Sequence, residues 1–314
     1  MRVRILDLDG GIVAQRGSWR LDDPRVVSLR DWGPRIRIAC SFAAFDRFER
    51  ASDELLDDGP NDPWLTLYGS GDFHHVTLAL LRRLKEPFHL LILDKHPDWM
   101  RGVPIMHCGT WLRHALRLPN LRQVFHLGGD LDFDNWFRWL APWSELRKGK
   151  ITVLPALRWY DRGKWRSVSV EPLREQPAQR VDQQRVEAIF AAFDADLARY
   201  PLYVSLDKDV MRAEDAVVNW DSGYLELSEV QTILAWFIEA CGGRVAGMDI
   251  LGDWSPVRVT GPVRRLLHWT EHPTLAVDPA EATRRNAEVN CSLVETVQSL
   301  LGRFSNHPIS ARAV

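Results

Sequence analysis

Six side chains able to ligate a metal fall in three short segments of this chain. His74 lies in Gly71-Asp72-Phe73-His74-His75. Asp94, His96 and Asp98 lie in Asp94-Lys95-His96-Pro97-Asp98, and Asp207 and Asp209 in Ser205-Leu206-Asp207-Lys208-Asp209. Alternate residues of an extended backbone project to the same side. Asp-x-His-x-Asp therefore aims three ligands at one spot, and Asp-x-Asp adds two more from a second strand. Four carboxylates balance the charge of two divalent cations. Mixed carboxylate and imidazole donors suit Mn²⁺, although affinity alone does not choose among first-row metals. A pair of adjacent cations makes hydroxide from water and clamps the group under attack, which is the equipment of a hydrolase. One Asp at a strand end can equally be a helix cap. The joint spacing, not any single residue, points to chemistry.

The surrounding pattern must supply strands that end at these segments. Trp64–Tyr68, Phe88–Leu93, Gln123–Leu127, Leu202–Leu206 and Arg244–Leu251 read as strands. Val76–Leu84, His107–Leu118, Val186–Tyr200, Leu227–Cys241 and Ala280–Leu301 read as helices. Ser228 followed by Gln231 resembles a capping box, and Gly242-Gly243 a helix stop. Such alternation predicts an α/β chain: one three-layer αβα domain over 1–314 with a mainly parallel central sheet. Ligands of such sheets sit beyond the carboxyl ends of the strands, where all three acidic segments fall. Residues 157–182 are polar and lack periodicity, and read as a loop insert. Residues 1–60 carry no function that the pattern reveals, although Asp7-Leu8-Asp9-Gly10-Gly11 follows a strand and could approach the site.

Composition narrows the classes. The chain has 314 residues, 46% apolar and 26% charged, enough for a sizeable core. A net charge of −2 gives no electrostatic reason to expect nucleic acid or an anionic membrane as partner. No apolar run approaches the roughly 20 residues that span a bilayer. Met1–Asp9 carries acids where a signal peptide is apolar, so a cytoplasmic protein is expected. Cys40, Cys108, Cys241 and Cys291 are far apart, which argues against structural zinc and a disulfide framework. Homo-oligomerisation is left open. Tryptophan is abundant, 14 residues, and Trp99, Trp111, Trp220 and Trp254 flank the motifs; they serve core packing or an aromatic mouth for a cationic substrate.

In order and type, the three segments resemble those of the arginase/ureohydrolase superfamily. The resemblance runs from about residue 64 to 256. The second and third segments match well; the first matches at His74 and Val76-Thr77. The chain departs from ordinary arginases and agmatinases in other places. Their late strand ends in a Glu that binds the guanidinium before a Pro. Aligned backwards from Pro256, Asp253 takes that place; aligned forwards from Asp249, Gly252 does. These departures are similar to the divergent branch of peptide arginases in ribosomal peptide biosynthesis, which convert arginine side chains in a peptide to ornithine.

The resemblance implies a residue-by-residue assignment. Asp94 and Asp207 would bridge two Mn²⁺ ions, His74 and Asp98 completing one site and His96 and Asp209 the other. Asp209 would pass a proton to the leaving amine, Asp253 would hold the guanidinium, and Asp130 and Asp132 would meet the substrate's amino end. His107 would shuttle protons or orient substrate. The implied partner is an arginine-containing peptide or, as the alternative, a small guanidine: arginine, agmatine, a guanidino acid or formiminoglutamate. Cys108 reads as a small buried hydrophobe and His75 as a helix cap or ligand. A one-zinc deacetylase of the same fold would lack His74, Asp98 and Asp209. A catalytically silent arginase-like scaffold would bind no metal, or bind it without turnover.

Overall fold

A computed structural model describes residues 1–19, 24–56, 63–101, 104–129, 139–157, 172–176, 178–272 and 276–306. Eight strands form one sheet, parallel at every pairing. They are β1 (Arg2–Asp7), β2 (Arg25–Ser28), β4 (Trp64–Leu67), β5 (Phe88–Leu93), β7 (Leu121–Leu127), β8 (Ile151–Leu154), β9 (Leu202–Asp207) and β10 (Val245–Leu251). Their order is β2-β1-β4-β10-β9-β5-β7-β8. Short strands β3 (Ala39–Ser41) and β6 (Ile105–His107) pair antiparallel beside it. The helices are α1 (Gly33–Ile36), α2 (Phe42–Leu55), α3 (Val76–Arg83), α4 (Trp111–Ala115), α5 (Trp143–Arg147), α6 (Gln183–Phe190), α7 (Asp194–Leu197), α8 (Leu227–Ala240), α9 (Pro262–Glu271) and α10 (Pro279–Asn306). None of the described helices is long and apolar enough to cross a membrane.

The central strands are apolar on both faces because both are covered. Leu91, Leu93, Val204 and Leu206 join α6, α8 and α10 in one core. Leu90, Ile92 and Tyr203 join α2, α3 and α4 in the other. Successive β5 residues thus serve opposite layers, and the expected three-layer architecture follows. β4 and β5 are consecutive along the main sheet's chain path, yet β10 and β9 are inserted between them. The carboxyl ends of β4, β10, β9 and β5 therefore form a contiguous row at the point where the strand order reverses. Such a switch point opens a crevice.

The local reading needs correction in three places. Residues 107–118 are not one helix: His107 ends β6, and only Trp111–Ala115 is α-helical. The strand forms because Ile105–His107 finds a partner in Ala39–Ser41. The helix expected over 186–200 is interrupted at Ala191–Phe193 by a 3₁₀ turn. Helix α8 is capped two residues earlier than expected, by Glu226, whose backbone N–H donates to Glu229 at 2.8 Å. Most of the expected insert, residues 158–171 and 177, lies outside the described residues.

Candidate metal centre

The six ligand candidates converge at the switch point. After β4 a 3₁₀ turn over Gly71–Phe73 ends at His74. The His74 Nδ1 lies 2.9 Å from Asp98 Oδ2, 3.2 Å from Asp94 Oδ2 and 3.6 Å from Asp207 Oδ2. His96 Nδ1 lies 2.7 Å from Asp209 Oδ2 and 3.9 Å from Asp94 Oδ1. His74 with Asp94 and Asp98, and Asp94 with His96 and Asp209, form two groups whose ligand atoms lie within 4.8 Å of one another. Asp94 belongs to both groups. Asp207 reaches toward the first group through Oδ2 and accepts the Asp209 N–H through Oδ1 at 3.1 Å.

This arrangement asks for cations. One imidazole nitrogen with one proton faces three carboxylate oxygens at His74. Asp94 Oδ2 is buried and accepts no well-directed hydrogen bond. Burial, then the charges of Asp209 and Asp94, hold the Asp207 carboxyl well above the usual carboxylate range. Burial and Asp94 likewise raise Asp209. Burial opposes the charged form of His96, but Asp209 outweighs it and carries the ring up to about 10. Protons thus substitute for missing positive charge, as expected for ligands that divalent ions would deprotonate.

Two glycines let the loops close on Asp207. A Cβ at Gly71 would lie 2.7 Å from Asp207 Oδ2. Gly252 has φ +92°, and its Cβ would collide with Asp207 Oδ1 and the Lys208 backbone. Only glycine tolerates that conformation and that approach. Asp98 is held in the left-handed region at φ 51°. Its carboxylate accepts from Trp111 Nε1 at 2.5 Å and its carbonyl from Leu112 N at 3.0 Å. Strained backbone of this kind persists only where the surroundings fix it.

Several further residues support the ligands. His74 Nε2 meets Ser205 Oγ at 3.1 Å, and Ser205 donates to Asp249 Oδ1 at 2.7 Å. Tyr203 donates to the other Asp249 oxygen at 2.8 Å. Burial raises the Asp249 carboxyl to about 6 against these bonds. His126 Nε2 meets the His96 carbonyl at 2.9 Å, and Trp99 packs on His126. Arg37 is buried; its Nε reaches Asp72 Oδ2 at 2.5 Å, and its Nη1 donates to the Pro256 carbonyl at 3.0 Å. Burial opposes ionisation of Asp72, but Arg37 and His272 outweigh it and hold the carboxyl well below the usual range. Asp9 accepts from Ser70 N and from Ser255 Oγ at 2.6 Å. The N-terminal residues therefore clasp the His74 loop. Ser205→Ala is expected to lower Mn²⁺ affinity by about 10–100-fold, because partners that orient a ligating imidazole carry that much. Equilibrium dialysis reads it, and an unchanged affinity would contradict the role.

The remaining sequence candidates separate. His107 and Cys108 line the same cavity, of about 330 Å³, as the six ligands. His107 Nδ1 accepts from Gly109 N at 2.9 Å, which places the proton of the neutral ring on Nε2. Cys108 Sγ lies 3.7 Å from that Nδ1. All four cysteines are free and buried. His75 packs on Phe45, and burial, then His107, push its ring down to about 3, so it is a neutral packing residue. Asp130 and Asp132 lie outside the described residues.

Asp253 requires a correction. Its carboxylate is fully buried, 2.7 Å from Lys208 Nζ, and accepts from Gln15 Nε2 at 2.6 Å and Asn290 Nδ2 at 3.1 Å. It does not line the cavity. Alternation along Asp207-Lys208-Asp209 turns Lys208 away from the ligands, and Asp253 turns to meet it.

Comparison with known proteins gives a consistent picture. An uncharacterized protein of Thermotoga maritima is 24% identical over 198 residues, covering 63% of this chain and 61% of that protein. The alignment thus spans about three fifths of that relative's length. The solved agmatine ureohydrolase of Thermoplasma volcanium superposes with a TM-score of 0.56 at 15% identity, covering 98% of this chain and 92% of that one. Arginase from Bacillus subtilis gives 0.52 at 16% identity, covering 96% and 99%. At these identities the two structures establish a shared fold. The arginase family model matches residues 15–252, which include all six ligand candidates. This chain belongs to the arginase family.

Proposed function

We propose that this protein is a binuclear Mn²⁺-dependent hydrolase that converts arginine side chains within a peptide to ornithine and urea. The convergence of four carboxylates and two imidazoles in one buried cluster carries the hydrolytic part of this reading. His74, Asp94, Asp98 and Asp207 would hold one ion, and Asp94, His96, Asp207 and Asp209 the other. When bound, such a pair supplies a nucleophilic hydroxide at neutral pH and Lewis acidity.

The chain's own residues do the rest. His74 is fixed by Ser205, His96 by the bond from His126 to its carbonyl, and Asp98 by Trp111. The guanidinium carbon gains a C–O bond and loses its bond to the side-chain nitrogen. That nitrogen leaves as an amine and needs a proton. Asp209, whose carboxylate meets His96 within the cluster, would relay to it the proton that the attacking water gives up. His107, at the cavity wall, exchanges that proton with solvent.

The peptide part rests on what the cavity lacks. Among the described residues that line it there is no Lys or Arg to pair with an α-carboxylate. An arginine inside a peptide carries neither a free α-amino nor a free α-carboxylate group, so it needs no such partner. Pro97, Met100 and Trp220 at the wall suit an aliphatic side chain entering from a neutral backbone.

The test is urea release by Mn²⁺-loaded protein from an arginine-containing peptide, free arginine, agmatine and guanidinobutyrate. Urea from the peptide alone is expected. Urea from a small guanidine instead would replace the peptide by that substrate, and none from any would overturn the guanidine chemistry.

A further inference from the structure

Guanidine hydrolysis, on which this inference rests, needs a cation-recognising group opposite the attacking hydroxide. The end of β10 offers two candidates by sequence, and the structure removes both. Gly252 can carry no side chain, because Asp207 and the Lys208 backbone occupy the space. Asp253 is consumed by Lys208, Gln15 and Asn290. Every carboxylate among the described residues that line the cavity belongs to the ligand set.

We propose that the indole face of Trp220 takes that place and binds the substrate guanidinium by a cation–π contact. Trp220 lines the cavity and is half-buried. Its ring centroid lies 5.3 Å from that of His96, at an interplanar angle of 64°. It is therefore beside the ligand cluster and not at a distant rim.

The ring is held in place before substrate arrives. Its Nε1 donates to Asp72 Oδ1 at 3.1 Å, and the His272 ring stands edge-on at 4.7 Å and 83°. Its loop is anchored on both sides. Asn219 donates to the Ser255 carbonyl and accepts from Ser255 N, at 2.9 and 3.0 Å. Gly223 N donates to the Asp209 carbonyl at 2.6 Å and the Met211 carbonyl at 2.8 Å. A guanidinium is planar and weakly hydrated, so stacking on an aromatic face costs it little hydration.

The experiment compares Trp220→Phe and Trp220→Leu with the wild type, all Mn²⁺-loaded, on the substrate that the wild type hydrolyses. Manganese content is measured in each. Trp220→Leu is expected to raise KM at least about tenfold, with a smaller change in kcat. Trp220→Phe keeps an aromatic face and is expected to raise KM only about threefold. The inhibition constant of the corresponding urea analogue, a neutral isostere of the guanidine, should move less than about twofold in either variant. Equal rises in KM for Phe and Leu would overturn the proposal, because the lost Nε1–Asp72 bond would then explain the effect. An unchanged KM in Trp220→Leu, or loss of manganese from it, would overturn it too. No urea from the wild type would instead overturn the hydrolase reading beneath it.

Discussion

Asp207→Ala lowers urea release by at least about 10³-fold, a loss of several kcal/mol of transition-state stabilisation. Asp207 stands between the two ligand groups: its Oδ2 faces His74 and its Oδ1 orders the Asp209 backbone. No neighbour can replace it, since glycines flank it on both sides. The variant nevertheless folds, and the reason is electrostatic. Burial, Asp209 and Asp94 make the ionised Asp207 unfavourable in metal-free protein. A carboxyl whose folded pKa is raised gives relative stability at low pH that is lost as pH rises past its unfolded value of 3.8. At neutral pH, metal-free Asp207→Ala is therefore at least as stable as metal-free wild type. Mn²⁺ raises the wild-type melting temperature and not that of the variant. Thermal unfolding with and without Mn²⁺ checks the second statement, and urea release checks the first. A variant that kept wild-type turnover would refute the assignment.

Asp253→Ala costs about 3–5 kcal/mol of stability, the usual penalty for stranding one member of a buried ion pair. Lys208 is fully buried, and its Nζ reaches Asp253 at 2.7 Å and Asn290 Oδ1 at 3.0 Å. Gln15 and Asn290 close the network through a 2.9 Å bond between their amides. Four separate parts of the chain meet there: the turn after β1, the ends of β9 and β10, and α10. Burial lowers the Lys208 proton affinity even with Asp253 beside it, so loss of the carboxylate leaves an expensive cation. Replacing both partners, as Lys208→Met with Asp253→Leu, recovers most of the loss, since well-packed apolar pairs often match buried ion pairs. Denaturant unfolding of the three variants measures this. A direct guanidinium ligand would behave in the opposite way: Asp253→Asn would raise KM and leave stability unchanged.

The convergence of the three motifs was legible because their information is local. Residues two apart on a strand share a face, and the apolar runs before them mark the strands. His74, Asp94, His96, Asp98, Asp207 and Asp209 needed no knowledge of distant partners. Asp253 misled for the same reason: its neighbours in sequence match an alignment anchor at Pro256, while its true partner is Lys208. Arg37 was illegible because a lone Arg in an irregular stretch says nothing of the loop it clasps, whereas Asp9, in an acidic segment at a strand end, does approach the His74 loop as that position suggests. Ser205 and Asp249 lie inside apolar strands, and their meeting at His74 depends on β9 pairing with β10. The β6 strand was missed because it forms only against β3. The 3₁₀ turn within 186–200 was hidden because the apolar positions, Val186, Ile189, Phe190 and Leu197, stay on the core side through it.

The most direct test of the central claim is a count of manganese in wild-type protein equilibrated with Mn²⁺ and then freed of excess. Elemental analysis gives the stoichiometry, and electron paramagnetic resonance shows whether the ions are coupled. Two Mn²⁺ per chain with an exchange-coupled spectrum, both features lost in Asp207→Ala, is the predicted result. No bound metal, or an uncoupled ion that survives Asp207→Ala, would contradict a binuclear centre at the ends of β5 and β9.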